Sequence, residues 1–286
     1  MEECLRFWAL ETNQTHVALN KILRILRIKT TFRLPKDART ILKTPSIKAN
    51  IVQIDGGRFW YNGVNKCIQN RCRAMNLNIN TMSLYVSVDG LPLTNSSKMQ
   101  FWPILISIAE LPTVAPMPVA IFCGLRKPEK VEEYLRPLVS ELNELMTDGI
   151  RIQDKAINIR VRAFIADTPA RAFIKGVVNF NGLQGCIKCV SQGQRVNNRT
   201  IFRGIDAEKR TDAVFRQGGY WPDHQKHLTP LLDLQHFNII DGVIIADRLH
   251  LMDLGVTKKL LKRWKNGESG FHGKLTTTQY TNISLA

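Results

Sequence analysis

Two aspartates follow two apolar runs of the chain, and this position would allow them to bind a metal ion. Asp89 comes directly after the run at residues 84–88, and Asp167 comes just after the alternating run at residues 157–165. Both runs are typical of β-strands, so each carboxylate would lie at the end of a strand. Carboxylate oxygens are preferred ligands of Mg²⁺ and Mn²⁺, and paired ions of this kind activate an attacking oxygen and stabilise a leaving one in phosphodiester chemistry. We therefore predict that Asp89 and Asp167 bind Mg²⁺ or Mn²⁺.

Each aspartate also has a simpler structural interpretation. Asp89-Gly90 is a common turn pair, and Asp167-Thr168-Pro169 is a common way to begin a helix. The order of the surrounding elements favours the metal site over these two interpretations taken separately.

The elements around the two aspartates follow a recognisable order. They are, along the chain, strands at 84–88, 100–109 and 118–123, a helix at 131–146, a strand at 157–165 and a helix that begins at Thr168-Pro169. In the last helix, Thr168 is predicted to be the N-cap and Pro169 the first helical residue. An order of β, β, β, α, β, α, with an acid after the first and fourth strands, predicts an α/β fold of RNase H-like type, a mixed sheet flanked by helices.

The rest of the chain divides into regions on both sides of this core. The predicted regions are a basic helical segment at 1–50, a turn-rich connector at 51–82 with a short strand near 59–61, the first half of the core at 83–180, an irregular insertion with cysteines and histidines at 181–240, and the C-terminal part of the core at 241–286. The basic segment should form two short helices separated near Leu34-Pro35. A small docking bundle is favoured there over a helix-turn-helix, because the segment has no turn glycine.

Five short strings resemble a known family when they are taken in order. They are SVDGLP at 87–92, FWPI at 101–104, YLRPLV at 134–139, FIADTPA at 164–170 and GCIKC at 185–189. In this order they resemble the core of En/Spm-type (CACTA) DDE transposases and their uncharacterised animal relatives, over roughly residues 83–264. The resemblance implies an RNase H-like domain that cuts DNA and joins the 3′ end to a target through two divalent ions. It also implies that Asp89 and Asp167 take the first two acidic positions.

The third acidic position has two candidate alignments. In the first, Asp247 or Asp253 supplies the carboxylate beside a basic helix at 254–264, and His250 supports the site. In the second, Asp247 and His250 form the D-x-x-H element that related transposases place before a much later acid. The domain would then be truncated and inactive. His250 has a simpler interpretation as an ordinary histidine at a helix start.

Cysteine and histidine pairs in the insertion have the spacing of a zinc site. Cys186-x-x-Cys189 matches one half, and His224-x-x-His227 could supply the other. We predict a structural Zn²⁺ site, with two reduced thiols and two polar-loop histidines as the alternative.

Composition favours a polyanionic partner. The chain has 286 residues and a formal net charge of +16, with basic excess at 1–50, 155–199 and 248–274. Lys258, Lys259, Lys262 and Arg263 are predicted to contact DNA. The six scattered cysteines and the acidic start predict a reducing compartment, which for a DNA-binding protein is the nucleus.

Other classes of function are disfavoured. Glu110 and three prolines interrupt the longest apolar stretch, at 104–122, so no membrane association is expected. No glycine-rich phosphate loop is present, so no nucleotide cofactor is expected. A homo-oligomer is left open.

The sequence predicts two alternative functions. One is a transposase-derived protein that cleaves and joins DNA with two divalent ions, and the other is a catalytically inactive, domesticated transposase that acts as a DNA-binding or protein-interaction module.

Overall fold

The computed structural model describes residues 1–44, 49–94, 97–203, 206–244 and 248–266, together with Thr276 and Thr278. Asp247, the predicted third acid, lies outside these described residues. The chain divides into two units, Met1–Asn50 and Ile51–Ala286.

The first unit is helical. It contains α1 (Glu2–Glu11), α2 (His16–Lys29) and α3 (Ala38–Ile41). The predicted separation near Leu34-Pro35 is confirmed, because this dipeptide lies between α2 and α3. A second break at residues 12–15, where Thr15 caps α2 by accepting a hydrogen bond from the Ala18 N–H at 3.1 Å, has no counterpart in the prediction. The small core of this unit consists of Ala9, Leu19, Leu23, Leu34, Ala38 and Ile41.

A large mixed sheet forms the centre of the second unit. Its strands within the described residues are β1 (Ile51–Ile54), β2 (Gly57–Tyr61), β3 (Thr81–Val88), β4 (Leu91–Pro92), β5 (Gln100–Ile108), β6 (Met117–Gly124), β7 (Ile150–Ile152), β8 (Lys155–Ala166) and β11 (Val243–Ile244). The order across the sheet is β1-β2-β6-β5-β3-β8-β11, with β4 paired to β5 and β7 paired to β8. Strands β3, β5 and β6 are an antiparallel meander, whereas β8 and β11 run parallel to β3. The predicted α/β class, a mixed sheet with flanking helices, is confirmed.

The other described elements of this unit are helices and a small hairpin. They are α4 (Val64–Cys72), α5 (Val131–Asp148), α6 (Thr168–Lys175), the hairpin of β9 (Gln194–Val196) and β10 (Arg199–Ile201), α7 (Asp212–Arg216), a 3₁₀-helix (Pro230–Asp233), α8 (Ile239–Gly242), a π-helical segment (Arg248–Thr257) and α9 (Lys258–Asn266). Helix α5 is the one predicted from apolar spacing, and it ends at Gly149, whose φ of 72° favours glycine. The predicted basic helix at 254–264 begins later than expected, because the backbone is π-helical as far as Thr257.

One hydrophobic core contains residues from regions that the sequence predicts to lie outside the core. Phe59 and Ile68 come from the predicted connector, and Phe215 and Phe237 come from the predicted insertion, yet all four are buried in the same core as the central strands. Strand β2 also pairs with β6, which makes the connector part of the sheet. None of the described helices is long and apolar enough to cross a membrane.

Candidate functional site

The register of the sheet brings Asp89 and Asp167 to the same edge. Strands β3 and β8 are parallel neighbours, and their last paired residues are Val88 and Ala166. Each aspartate is the next residue along its strand. Since neighbouring strands lie about 4.8 Å apart, the two carboxylates leave the sheet side by side.

A cavity of about 200 Å³ joins both aspartates to His250. The His250 Nε2 atom lies 3.6 Å from the Asp89 Oδ2 atom, and each of these side chains is about one third exposed, at 36% and 35%. Leu105 and Leu249 form part of the apolar wall. The structure therefore brings three of the predicted site residues together in a place that is open to solvent.

Both aspartates also have the local roles that their simpler interpretations predict. The Asp89 Oδ1 atom accepts a hydrogen bond from the Gly90 N–H at 2.7 Å, and the Asp167 Oδ1 atom accepts one from the Ala170 N–H at 2.8 Å. The prediction that Thr168 caps α6 is wrong, because the Asp167 carboxylate makes the capping bond. A carboxylate has two oxygens and about four acceptor sites, so these bonds use only part of its capacity.

The turn after Asp89 depends on a glycine. A Cβ atom at Gly90 would lie 3.0 Å from the ring of Trp102, whose own Nε1–H donates to the Gln100 Oε1 atom at 2.8 Å. The ring is almost fully buried, so it has little freedom to move away. A larger residue at position 90 would therefore shift the turn that carries Asp89.

Arg171 is a positioning residue that the sequence analysis does not identify. Its guanidinium donates to the backbone oxygens of Ala166 and Ile244, at 3.1 and 3.3 Å, and to the Thr168 Oγ1 atom at 2.7 Å. These bonds join the ends of β8 and β11 to the first turn of α6, on which Asp167 acts as the cap. The available sequence signal is the position of this basic residue in the first turn of the helix, four positions after the aspartate.

The third acidic position stays a prediction. Asp247 lies outside the described residues, and Asp253 contacts Arg248 at 3.6 Å without lining the cavity of Asp89. Across the described part of the chain, no three or more histidine, cysteine, aspartate or glutamate side chains form a group that could hold a metal ion.

The two cysteines of the predicted zinc site lie together. The Sγ atoms of Cys186 and Cys189 are 3.3 Å apart. Burial of Cys186 opposes its ionisation, but hydrogen bonds from the backbone N–H groups of Lys188 and Cys189, with the charge of Arg210, lower the pKa of its thiol overall. Burial raises the pKa of Cys189.

The two histidines do not join these cysteines in a metal-binding group of described residues. His224 is almost fully buried between the rings of Phe215 and Tyr220, and burial lowers its pKa to about 4. Its Nδ1 atom lies 2.7 Å from the Gln184 carbonyl oxygen. His227 lines a separate cavity of about 470 Å³, whereas Cys186 lines one of about 270 Å³. The four-ligand zinc site therefore stays a prediction.

A buried lysine close to His224 is a second feature that the sequence analysis misses. Lys175, the last residue of α6, is fully buried, and its Nζ atom has no hydrogen-bond partner among the described residues. The Nζ atom lies 5.4 Å from the centroid of the Phe215 ring. Burial, together with the charges of Lys188 and Arg210, lowers the pKa of Lys175 to about 7.

The basic residues predicted to contact DNA lie on one short helix. Lys258, Lys259, Lys262 and Arg263 are all exposed on α9. Such a helix provides the high density of positive charge that phosphate binding requires.

Comparison with known proteins adds no family to this description. The chain matches no model of a known protein family, and no curated protein is significantly similar to it. The assignment of function consequently depends on the strand-end site itself.

Proposed function

We propose that this protein is derived from a transposase, and that its RNase H-like DDE-type core cleaves DNA and transfers strands with two divalent metal ions. One observation carries the proposal. Asp89 and Asp167 follow register-paired residues of two parallel strands and line one cavity with His250.

The order of elements around this edge supports the RNase H-like core. Three antiparallel strands, β3, β5 and β6, precede the long helix α5, then the parallel strand β8 and the helix α6. This is the order in which that core presents an acid after its first and fourth strands. The short β4 and β7 each pair antiparallel with the next strand along the chain, β5 and β8, so they do not change this order.

The donor set fits a hard divalent cation. Asp89 and Asp167 would hold Mg²⁺ or Mn²⁺ through carboxylate oxygens, which are the ligands that these ions prefer. A bound ion of this kind polarises a phosphoryl oxygen and lowers the pKa of a coordinated water. The protein contributes fixed spacing, since the sheet register sets one carboxylate beside the other and Arg171 ties the strand ends to α6.

Asp247 is the proposed third acid. Strand β11 pairs in parallel with β8 through Val243–Phe164 and Ile244–Ile165, so its carboxyl end points to the same edge as Asp167. Asp247 follows Ile244 by three positions in the sequence. His250, three positions further on, lies beside Asp89 and gives the D-x-x-H element a direct link to the cavity.

DNA is the proposed substrate, and the nucleus the proposed location. The net charge of +16 and the exposed basic residues of α9 provide the electrostatic attraction. A protein that cuts and joins chromosomal DNA must act where that DNA is.

A second function is a DNA-binding or protein-interaction module without cleavage. Two observations favour it. Asp89 and Asp167 each make a local structural hydrogen bond, and the described residues contain no group of three metal ligands. An inactive descendant of a transposase would keep both the fold and the basic surface.

Cleavage of duplex DNA with and without Mn²⁺ or Mg²⁺ tests the proposal. We expect metal-dependent nicking that falls more than about a hundredfold in Asp89→Asn and in Asp167→Asn, because loss of even an indirect support of a metal ligand costs 10–100-fold. Asp247→Asn should have a similar effect. Asp154→Asn is the matched control, since this exposed aspartate precedes β8 at the end away from Asp167.

Each outcome decides between the two functions. Salt-sensitive DNA binding without nicking in either metal would favour the module. Nicking that persists unchanged in both Asp89→Asn and Asp167→Asn would place catalysis elsewhere and refute the strand-end site.

A further inference from the structure

The Cys186–Cys189 pair has a geometry that suits chemistry between its two sulfurs. Their Sγ atoms are 3.3 Å apart, and both thiols are free. A disulfide bond is about 2.05 Å long, so rotation of the side chains by a small angle brings the sulfurs within bonding distance. A separation of two intervening residues lets this happen without moving the backbone of distant elements.

The surroundings of the pair favour a nucleophilic sulfur at Cys186. The backbone N–H groups of Lys188 and Cys189 donate to the Cys186 sulfur, and the Ser191 N–H donates to the Cys189 sulfur. The buried guanidinium of Arg210 lies close to both thiols, and its Nε–H donates to the Cys186 carbonyl oxygen at 3.1 Å. Hydrogen-bond donors and a fixed cation stabilise a thiolate over a thiol.

A small reagent could reach this pair. Cys186 is half-buried and lines the cavity of about 270 Å³, together with Thr168, Phe180 and Lys188. Cys67 and Cys72 differ, because both are buried in the main core and burial raises the pKa of each. They provide an internal reference for an unreactive thiol.

A zinc site fits the sulfur atoms of Cys186 and Cys189 less well than a dithiol does. Structural zinc is four-coordinate, and the part of the chain that the structure describes adds no third histidine, cysteine or carboxylate to the pair. Arg210 would also bring a positive charge close to a bound cation. Two closely spaced thiols without further ligands are instead the arrangement of a dithiol.

We propose that Cys186 and Cys189 form a thiol–disulfide exchange site that reacts with low-molecular-weight disulfides. This site is independent of the strand-end aspartates. The Cys186 thiolate attacks one sulfur of the reagent, whose S–S bond breaks, and the leaving thiolate takes up a proton. The Cys189 thiolate then attacks the Cys186 sulfur and releases the second thiol. The protein dithiol is oxidised by two electrons, and the reagent disulfide is reduced to two thiols.

Digestion with trypsin gives a direct assay. Cleavage after Lys175, Lys188 and Arg195 places Cys186 in the peptide 176–188 and Cys189 in the peptide 189–195. After treatment of the folded protein with oxidised glutathione, we expect these two peptides to be joined by a disulfide that separates on reduction. Cys67 and Cys72 should not be oxidised under the same conditions, so both should be alkylated in full once the treated protein is denatured.

Two single variants distinguish the roles of the cysteines. Cys189→Ser should accumulate a mixed disulfide with glutathione on Cys186, because the second step is blocked. Cys186→Ser should react at Cys189 at least about tenfold more slowly, because Cys186 lines the cavity of about 270 Å³ and Cys189 does not. Far-ultraviolet circular dichroism checks that both variants keep the fold.

Two results would overturn the proposal. The first is that both cysteines stay fully alkylatable in excess oxidised glutathione. The second is that the purified protein carries one equivalent of zinc that protects both thiols and is lost in Cys186→Ser, which would establish the zinc site instead.

Discussion

Helix α6 has a buried cation near each end, and the two ends differ in how they accommodate it. Near the first turn, Arg171 donates hydrogen bonds to two strand-end carbonyls and a hydroxyl. At the last residue, Lys175 lies over the ring of Phe215, with no hydrogen-bond partner for its Nζ atom among the described residues. A buried charge with partners holds its neighbours in place, whereas a buried charge without them destabilises the fold. The amino-terminal end of α6 is therefore a rigid support for Asp167, and its carboxyl-terminal end carries an electrostatic strain.

The largest expected effect on stability is at the amino-terminal end of α6. Arg171→Met should lower the free energy of unfolding by about 4 kcal/mol, because it removes the hydrogen bonds that a buried guanidinium donates to two strand-end carbonyls and a hydroxyl. Urea unfolding at pH 7 measures it. Lys66→Met, on an exposed face of α4, is the control and should change stability by less than about 0.5 kcal/mol. A loss below about 1 kcal/mol at Arg171 would mean that the two ends of α6 do not differ.

The opposite change in stability is expected at the carboxyl-terminal end of α6. Lys175→Met should raise the free energy of unfolding by about 3 kcal/mol at pH 6, because methionine has a similar shape and removes the buried charge. The gain should shrink above pH 7. The pKa of Lys175 is about 7 in the folded protein against an ordinary 10.5, so the folded state loses its proton first and the penalty declines as the pH rises through this window.

Urea unfolding of the wild type and Lys175→Met at several pH values between 6 and 9 tests this difference. The charges that face this amine come from Lys188, Arg210, Arg171 and Asp212, and they are the same in both proteins. A destabilised Lys175→Met variant at pH 6 would show that the amine has a stabilising partner.

A smaller effect on stability is expected at acidic pH. Burial lowers the pKa of His224 to about 4 from its ordinary 6.5, so only the unfolded chain takes up this proton at first as the pH falls. Stability should fall between about pH 6.5 and 4, and His224→Phe should recover about 2 kcal/mol at pH 5. Thermal unfolding across this range measures it, with the exposed His16→Phe as control. An identical dependence of stability on pH in wild type and His224→Phe would show that His224 does not cause the loss of stability in acid.

Local pattern predicts the elements well, for a physical reason that particular residues illustrate. Val86 and Val88 are buried in β3 as the apolar run indicates, and Leu135 and Leu142 are buried in α5 as the helical spacing indicates. Side-chain alternation in a strand and periodicity in a helix depend only on backbone geometry, so they can be read from neighbouring residues. Competition between two neighbouring residues for the same capping position is harder to predict. Asp167 rather than Thr168 caps α6, which the local pattern does not indicate.

By itself, the sequence determined that two aspartates follow two strands, that a long amphipathic helix lies between these strands, and that the protein is strongly basic. Only the tertiary structure decided which distant groups meet. Arg171 contacts Ile244, Lys175 packs on Phe215, and His250 approaches Asp89, although each pair is separated by at least 40 residues of chain. Such contacts depend on how the sheet pairs and how the core closes over it. The burial, hydrogen bonding and pKa of each group therefore follow from the fold and not from its sequence neighbours.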